Sequence, residues 1–307
     1  MIEKPTTLIL GAGASMPYGF PSGRELVNDI ISLIPSTVDT KSKYGTKLTS
    51  NPFIQMLWEL GYKDDIILSF KHRLKSSKIN SIDSFLEIDE NAGFINIGKV
   101  HILYALHNYE KATQLVRDDK WYRFLWNVLK AKSIEYFKSN KLKVVTYNYD
   151  RSLEYYLLNC IKNSYGLDEK DVFKLLSETI EIIHVHGKMG VFNVENHVLN
   201  LGISTNFRFD YGDKIEYKAK LEYLSNNIKI IHDKTISKSI EVERANEIFT
   251  STERICFLGF GFAKENLKRL KINTSGKQIF CSAHGLSDAF IRQNLRVNYE
   301  CLKKDTI

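Results

Sequence analysis

The chain has 307 residues and a formal net charge of +7, and hydrophobic residues make up 43% of it. This length and apolar fraction allow one large α/β domain and exclude a wholly disordered chain. The sequence has no apolar run of about 18 residues and no secretory-signal pattern, so we expect a cytoplasmic protein without a membrane span. Its basic residues are dispersed, which favours a solvated surface and gives no indication of direct nucleic-acid binding.

The first half of the chain begins with one predicted strand and then becomes helical. Residues 6–10 are β-branched or apolar and end at a glycine, which predicts a buried strand. A loop rich in Gly, Ser and Pro follows over 11–22, and Ser22 is the predicted N-cap of the next helix. After a polar linker over about 35–50, the pattern is almost entirely helical, and it predicts a helical module over 50–138 inserted into the sheet.

The second half alternates strands with helices. The predicted strands cover residues 142–147, 180–186, 254–258 and 278–281. A helix is predicted from Ser152, and a smaller, partly helical insertion is predicted over 205–250. Strands that end in glycine or polar residues and lead into helices are typical of a parallel sheet. We therefore expect one α/β domain over 1–307, with a Rossmann-like parallel sheet and helices on both of its faces.

Two glycine-rich segments follow predicted strands. The first is Gly11-Ala12-Gly13-Ala14-Ser15, and the second is Gly259-Phe260-Gly261. Glycine allows a close approach of the backbone to a diphosphate, and the following helix can offer N–H groups to it. However, Met16 stands where the GxGxxG pattern has its last glycine, so a tight turn without a ligand is the alternative.

Polar residues follow two other predicted strands. Asn148 and Asp150 can offer an amide and a carboxylate to a cleft, although Asp150 is equally explained as the N-cap of the next helix. His186 precedes the glycine that ends its strand and is a candidate general base near neutral pH, with a structural histidine as the alternative. His184 and His186 could begin a metal site, but the neighbouring sequence offers no carboxylate or thiolate to complete one.

The cysteines are too far apart in the sequence to form a zinc-ribbon or CxxC motif. They are Cys160, Cys256, Cys281 and Cys301, and none lies within four residues of another. Neither a zinc ribbon nor a CxxC motif can therefore be formed from neighbouring positions. Cys256 lies in an apolar run and is interpreted as a small core residue.

Taken together, these segments resemble the sirtuin family. The run from Gly11 to Arg24, including Gly19-Phe20-Pro21, is similar to the family's GAGxS…GIPDFR motif with every gap of the same length. Thr146-Tyr147-Asn148-Tyr149-Asp150 resembles the TQNID motif, and His186-Gly187 resembles the catalytic HG pair. Gly259-Phe260-Gly261 stands where the family has a late nucleotide-binding loop.

The departures from the family's pattern indicate a subgroup. Ser22 and Gly23 replace the family's Asp-Phe, the zinc ribbon is missing, and a helical insertion precedes the TYNYD segment. In these respects the chain resembles the bacterial sirtuin-like NAD hydrolases of anti-phage defence. That resemblance implies cleavage of the nicotinamide–ribose bond of NAD, without zinc, and depletion of NAD during phage infection. It also implies a homo-oligomer and, for some members, a partner protein such as a DNA translocase, an ATPase or a short Argonaute.

The resemblance implies roles for individual residues. The catalytic residues would be Asn148, His186 and Asp150. The NAD-binding residues would be Gly11, Ala12, Gly13, Ser15, Gly19, Arg24, Asp83, Gly259, Phe260 and Gly261. Asp83, in the helical insertion, is equally explained as the N-cap of its own helix.

Two other functions fit the same residues. A binding module could sense NAD or ADP-ribose through Asn148 and His186 without cleaving it. A protein deacylase would use the same nucleotide site, but it needs a peptide groove that the zinc ribbon usually braces.

Overall fold

The computed structural model describes residues 1–37, 41–43, 46–89, 91–116, 120–190, 192, 209–230, 239–269, 272, 274–282, 286–295 and 300–302. The chain divides into two compact units. The first comprises residues 1–20, 112–186 and 234–307, and the second comprises 21–111 and 187–233. Over the described ranges, no helix combines the length and the apolar character needed to cross a membrane.

The regular elements are numbered here in chain order. The strands are β1 (Thr6–Leu10), β2 (Lys41–Lys43), β3 (Thr46–Leu48), β4 (Leu142–Thr146), β5 (Glu181–His184), β6 (Arg254–Leu258), β7 (Gln278–Ser282) and β8 (Glu300–Leu302). The α-helices are α1 (Ala12–Ser15), α2 (Gly23–Leu33), α3 (Pro52–Glu59), α4 (Asp64–Ser77), α5 (Ile82–Ile88), α6 (Ala92–Leu106), α7 (Ala112–Leu115), α8 (Trp121–Leu129), α9 (Ile134–Lys138), α10 (Ser152–Tyr165), α11 (Glu169–Thr179), α12 (Lys218–Ser225), α13 (Ile240–Ser251), α14 (Lys264–Arg269) and α15 (Asp288–Leu295). Short 3₁₀ turns cover Met16–Tyr18 and His107–Tyr109.

The first unit is built on a parallel sheet of six strands. The strands lie in the order β5-β4-β1-β6-β7-β8, and every neighbouring pair is parallel. Counted along the chain within this sheet, the order is 3-2-1-4-5-6, which is the Rossmann order. All five residues of β1 are buried, as expected for a central strand covered on both faces. The predicted α/β, Rossmann-like fold class is therefore confirmed.

Helix α8 belongs to the sheet-containing unit, although the sequence places it within the helical insertion over 50–138. The Trp121 Nε1–H donates to the carbonyl of Ala14 at 2.8 Å. Next to it, the rings of Tyr122 and Tyr18 stack with centroids 3.7 Å apart, and the amide of Tyr122 donates to the Tyr18 hydroxyl. These buried contacts explain why the first segment of the second unit ends at Lys111 and not near 138.

The second unit is mainly helical, as the sequence predicts for this part of the chain. Its first helix, α2, begins with a capping box in which Ser22 and Glu25 bond reciprocally, so the predicted N-cap is confirmed. Phe53, Phe70 and His101 pack together in its core. The predicted linker over 35–50 contains the antiparallel pair β2–β3, whose polar residues have no apolar alternation that predicts strands.

The predicted insertion over 205–250 is divided between the two units. Helix α12 lies in the second unit, whereas α13 lies in the first. Residues 205–208 and 231–238 of this segment lie outside the described residues. The helices predicted here match α12 and α13 in position.

Candidate active site

Two strand-end loops meet at the point where the strand order reverses. This switch point lies between β1 and β6, and the crevice beyond it is where open α/β sheets bind ligands. The amide of Gly11 donates to the carbonyl of Leu258, and the amide of Gly13 donates to the carbonyl of Gly259, both at 3.0 Å. The two glycine-rich segments that the sequence singles out therefore form one structure.

Close backbone packing accounts for the glycines at this contact. A Cβ on Gly11 would lie 2.6 Å from the Gly259 carbonyl oxygen, and a Cβ on Gly13 would lie 2.8 Å from the Gly259 Cα. The amides of Gly11, Gly13 and Ala14 all donate to protein carbonyls. By contrast, Ala12 and Gly261 are exposed, and a Cβ on Gly261 would meet nothing within 4 Å. A ligand can approach the backbone at these two positions.

A polar network joins the loop after β1 to the loop after β4. The side-chain amide of Asn148 donates to the Gly11 carbonyl at 3.0 Å and to the Ser15 hydroxyl at 2.9 Å. Ser15 in turn donates to Asp150 Oδ2 at 2.7 Å. The structure thus brings together four residues that the sequence predicts for the site, in the segments that follow two neighbouring strands.

The orientation of the Asn148 side chain follows from these partners. A backbone carbonyl can only accept, so the group facing Gly11 must be the NH₂ group of Asn148. Both hydrogens of Nδ2 are then directed at the loop after β1. The side-chain oxygen, Oδ1, is directed away from that loop, on a residue that is only partly buried. Asn148 therefore offers a hydrogen-bond acceptor to a ligand.

His186 lies on the same edge of the sheet as Asn148. Thr146 at the end of β4 pairs with His184 at the end of β5, and the amide of Val185 donates to the Thr146 carbonyl at 2.9 Å. The His186 ring lies 5.5 Å from the ring of Tyr147 between centroids, and it is buried. Asn148 and His186 therefore follow the ends of two neighbouring strands, and their membership of one site stays a prediction.

Phe260 contacts Tyr147, whose ring lies next to the His186 ring. The rings of Phe260 and Tyr147 lie edge to face with centroids 5.2 Å apart, and the Tyr147 hydroxyl donates to the carbonyl of Asn266 at 2.7 Å. Phe260 is buried, so its main contribution is to hold the loop after β6 against the strand ends. Burial raises the pKa of Tyr147, which keeps its hydroxyl protonated at physiological pH.

The sequence does not predict the buried partner of His184. His184 Nε2 lies 2.9 Å from Glu154 Oε1 on α10, and His184 Nδ1 lies 2.8 Å from the backbone carbonyl of Asn148. The neighbouring sequence holds no carboxylate beside the histidines, but α10, the helix after Asp150, places Glu154 next to His184 at the end of β5. Glu154 follows Asp150 by about one helical turn, and this spacing is the sequence signal that could have predicted its position near the strand end.

Asp150 is fully engaged inside the protein. One carboxylate oxygen accepts from Ser15, and the other accepts from the amide and the hydroxyl of Ser152 at the start of α10. The N-cap of α10 is Arg151 and not Asp150, so the predicted N-cap role of Asp150 is wrong; its carboxylate instead accepts from Ser152, the first residue of the helix. Burial raises the pKa of the Asp150 carboxyl, while the bonds from Ser152 and Ser15 and the charge of His184 act in the opposite direction.

We predict that Asp150 makes the stability of the protein depend on pH. Its folded-state pKa lies above the ordinary value of 3.8, so the unfolded chain loses this proton first as the pH rises. Asp150 therefore stabilises the folded protein fully at a pH below the ordinary, unfolded-state pKa. This stabilisation is lost as the pH rises through the folded-state pKa. Asp150→Asn lacks this titration. Urea unfolding from about pH 4 to about pH 8 should show wild type losing stability relative to the variant; a constant difference would contradict the prediction.

The remaining predicted residues lie at the margins of this network or in the other unit. Gly19 is exposed and ends the 3₁₀ turn with a φ of 89°. Arg24 is exposed in the first turn of α2, and Asp83 is in the first turn of α5, both in the second unit. Ser81 and not Asp83 is the N-cap of α5, because its hydroxyl accepts from the Ser84 amide. The roles in NAD binding expected of Arg24 and Asp83 stay predictions.

The described residues contain neither a metal-ligand cluster nor a disulfide at this edge of the sheet. Over those residues, no group of three His, Cys, Asp or Glu side chains is arranged to hold a metal ion. Cys160 and Cys256 are free thiols, and burial raises the pKa of Cys256 to about 11. A cavity of about 490 Å³ lies elsewhere on the first unit; it is lined by Ala112, Leu115, Val116, Trp126, Tyr155, Tyr156, Asn159, Cys160, Asn163 and Ser164.

Comparison with known proteins adds no assignment. No protein-family model matches the chain, and no curated protein matches it either. The fold defines an α/β protein of the Rossmann-like class, and a polar network joins the loops after β1 and β4 beside its topological switch point.

Proposed function

We propose that the protein hydrolyses NAD⁺ to nicotinamide and ADP-ribose. The observation that supports the proposal most is the bonding of the Asn148 amide to the loop after β1, with His186 on the adjacent strand end. A hydrolase of this kind needs an oriented polar group and a general base beside a nucleotide-binding turn. These three features lie at the carboxyl ends of neighbouring strands, where α/β sheets bind nucleotides.

The exposed backbone positions suggest how NAD lies. Its diphosphate would cross the loop from Gly11 to Ser15 at Ala12, and its adenosine would extend toward Gly261. The nicotinamide ribose would then reach Asn148 and His186. Because the amides of Gly13 and Ala14 already donate to carbonyls, Ala12 is the main backbone contact for the diphosphate in this proposal.

The chemistry needs stabilisation of positive charge on the ribose. The bond between C1′ and the nicotinamide nitrogen breaks, nicotinamide leaves as a neutral molecule, and a water oxygen bonds to C1′. The carbonyl dipole of Asn148 Oδ1 can stabilise the oxocarbenium-like transition state and accept a hydrogen bond from the water. His186 removes a proton from the water or a ribose hydroxyl, and this proton is released to solvent with ADP-ribose. Asp150 holds Ser15, and through it the amide of Asn148.

We expect the purified protein to release nicotinamide from NAD, and His186→Ala to lower the rate about 10²- to 10⁴-fold, the range typical of a general base. His72→Ala, an exposed histidine on α4, is the matched control and should keep the wild-type rate. Nicotinamide is measured by chromatography, and NAD binding is measured in parallel by calorimetry. Equal rates for wild type and His186→Ala would remove His186 from the mechanism. Binding of NAD by the wild type without any product would favour the sensing module over the hydrolase.

The biological setting belongs to the same proposal. The similarity to bacterial defence hydrolases supports NAD depletion during phage infection, in the cytoplasm, by a homo-oligomer that acts alone or with a partner protein. A gated hydrolase would be silent when purified alone. NAD turnover should therefore also be measured with the neighbouring gene product present.

A further inference from the structure

Asn148 is held from two sides by different parts of the first unit. On one side its NH₂ group donates to Gly11 and Ser15. On the other side its backbone carbonyl lies 2.8 Å from His184 Nδ1. The backbone N–H of Asn148 also donates to the Thr146 hydroxyl at 3.0 Å, within the same turn. The strand β4 ends at Thr146, two residues before Asn148, so these contacts replace the ladder bonds that hold a residue within a strand.

The protons of the His184 ring follow from its two partners. The carbonyl of Asn148 can only accept, so Nδ1 must carry a hydrogen. Nε2 lies 2.9 Å from Glu154 Oε1, and a hydrogen must also lie between these two atoms. The pair is therefore either an imidazolium with a carboxylate or a neutral ring with a carboxylic acid. In both forms Glu154 fixes the ring so that Nδ1–H is directed at Asn148.

The pair is shielded from water. The side chains of His184 and Glu154 are 5% and 9% exposed, so their hydrogen bonds do not compete with bulk solvent. Asp150 acts on Asn148 from the opposite side, because it accepts from Ser15, which in turn accepts from the Asn148 NH₂ group. The pair His184–Glu154 and the pair Asp150–Ser15 thus both hold Asn148, one through its backbone and the other through its side chain.

We propose that His184 and Glu154 are positioning residues that fix the backbone of Asn148 and thereby the direction of its side-chain oxygen. The kinetic part of this inference rests on the proposed NAD hydrolysis, whereas the structural part does not. Neither residue needs to touch the substrate. A shift of about 1 Å in a positioned group can cost about 10²-fold in rate, so a pair of this kind would act mainly on kcat.

Two substitutions of His184 separate its hydrogen bond from its bulk. His184→Asn retains a side-chain N–H that can donate to the Asn148 carbonyl, whereas His184→Leu fills the space without a donor. Asn140→Leu is the matched control for lost stability, since Asn140 is buried, lies in the same unit and bonds Leu129, Phe137 and Ile2 away from the site. Thermal unfolding of all three variants reports how much stability each has lost.

The first readout does not depend on catalysis. Hydrogen exchange of the Asn148 side-chain NH₂ group is followed by NMR, with its resonances identified as the pair missing from Asn148→Ala. We expect exchange to accelerate about tenfold or more in His184→Leu, through easier local opening, and to stay near the wild-type rate in His184→Asn and Asn140→Leu. Unchanged exchange in His184→Leu overturns the proposal, whether or not the protein cleaves NAD.

The second readout is the split between kcat and KM for NAD. We expect kcat of His184→Leu to fall about 10- to 100-fold with a smaller change in KM, and His184→Asn to recover most of it. An equal loss in Asn140→Leu would show that lost stability alone is responsible and would overturn the positioning role. Accelerated exchange in a protein that cleaves no NAD would support the positioning of Asn148 and count against the proposed hydrolysis.

Discussion

Gly259→Ala is expected to destabilise the protein by about 2 to 5 kcal/mol, because two separate costs act at this residue. Gly259 has a φ of 57°, a left-handed conformation in which an L side chain is strained by about 1–2 kcal/mol. In addition, an added Cβ would lie 2.0 Å from the amide nitrogen of Ala14, so the two loops would have to separate. The bond from Gly13 to Gly259 would be lengthened or lost.

Gly261→Ala is the matched control for this substitution. It lies two residues further along the same loop, is exposed, and has no neighbour within 4 Å of an added Cβ. We expect its free energy of unfolding to stay within about 0.5 kcal/mol of wild type. Urea unfolding with circular dichroism measures both variants. Similar stability of the two variants would mean that the loops after β1 and β6 are not in the contact described.

Most of the sheet could be predicted from local sequence patterns. Strands such as β1 and β4 are short runs of β-branched and apolar residues that end in glycine or polar residues, and burial on both faces of the sheet makes such runs necessary. Helix α11 was not predicted, although Val172, Leu175 and Leu176 have helical spacing and are buried. The hairpin β2–β3 is different, because its polar residues carry no periodic signal.

The candidate site was predictable only as far as the topology brings strand ends together. A parallel sheet places the segments after β1, β4 and β5 at one edge, which is why Ser15, Asn148 and His186 could be grouped from the sequence. Their individual contacts could not be predicted. Gly11 and Gly13 suggested an approach to phosphate, whereas in the structure they allow a backbone contact with Gly259 that no local pattern specifies.

The direction of the Asn148 amide determines the second prediction. Because both Nδ2 hydrogens are directed at Gly11 and Ser15, the proposed mechanism depends on Oδ1 alone. Removing the amide in Asn148→Ala should lower kcat for NAD cleavage about 10²- to 10³-fold, the range found when one preorganised dipole at a transition state is removed. Asn127→Ala, an exposed asparagine on α8, should keep wild-type kcat. Nicotinamide release under saturating NAD measures both.

Asn148→Asp distinguishes a fixed dipole from a simple negative charge. If charge were the only requirement, a carboxylate would stabilise the oxocarbenium-like state at least as well as the amide oxygen does. The carboxylate, however, would place an oxygen against the Gly11 carbonyl, where the NH₂ group now donates, and repulsion between the two oxygens would turn the side chain away. We therefore expect Asn148→Asp to be no more active than Asn148→Ala and less stable to urea. Recovery of activity in the aspartate variant would show that the bond to Gly11 does not orient the catalytic group.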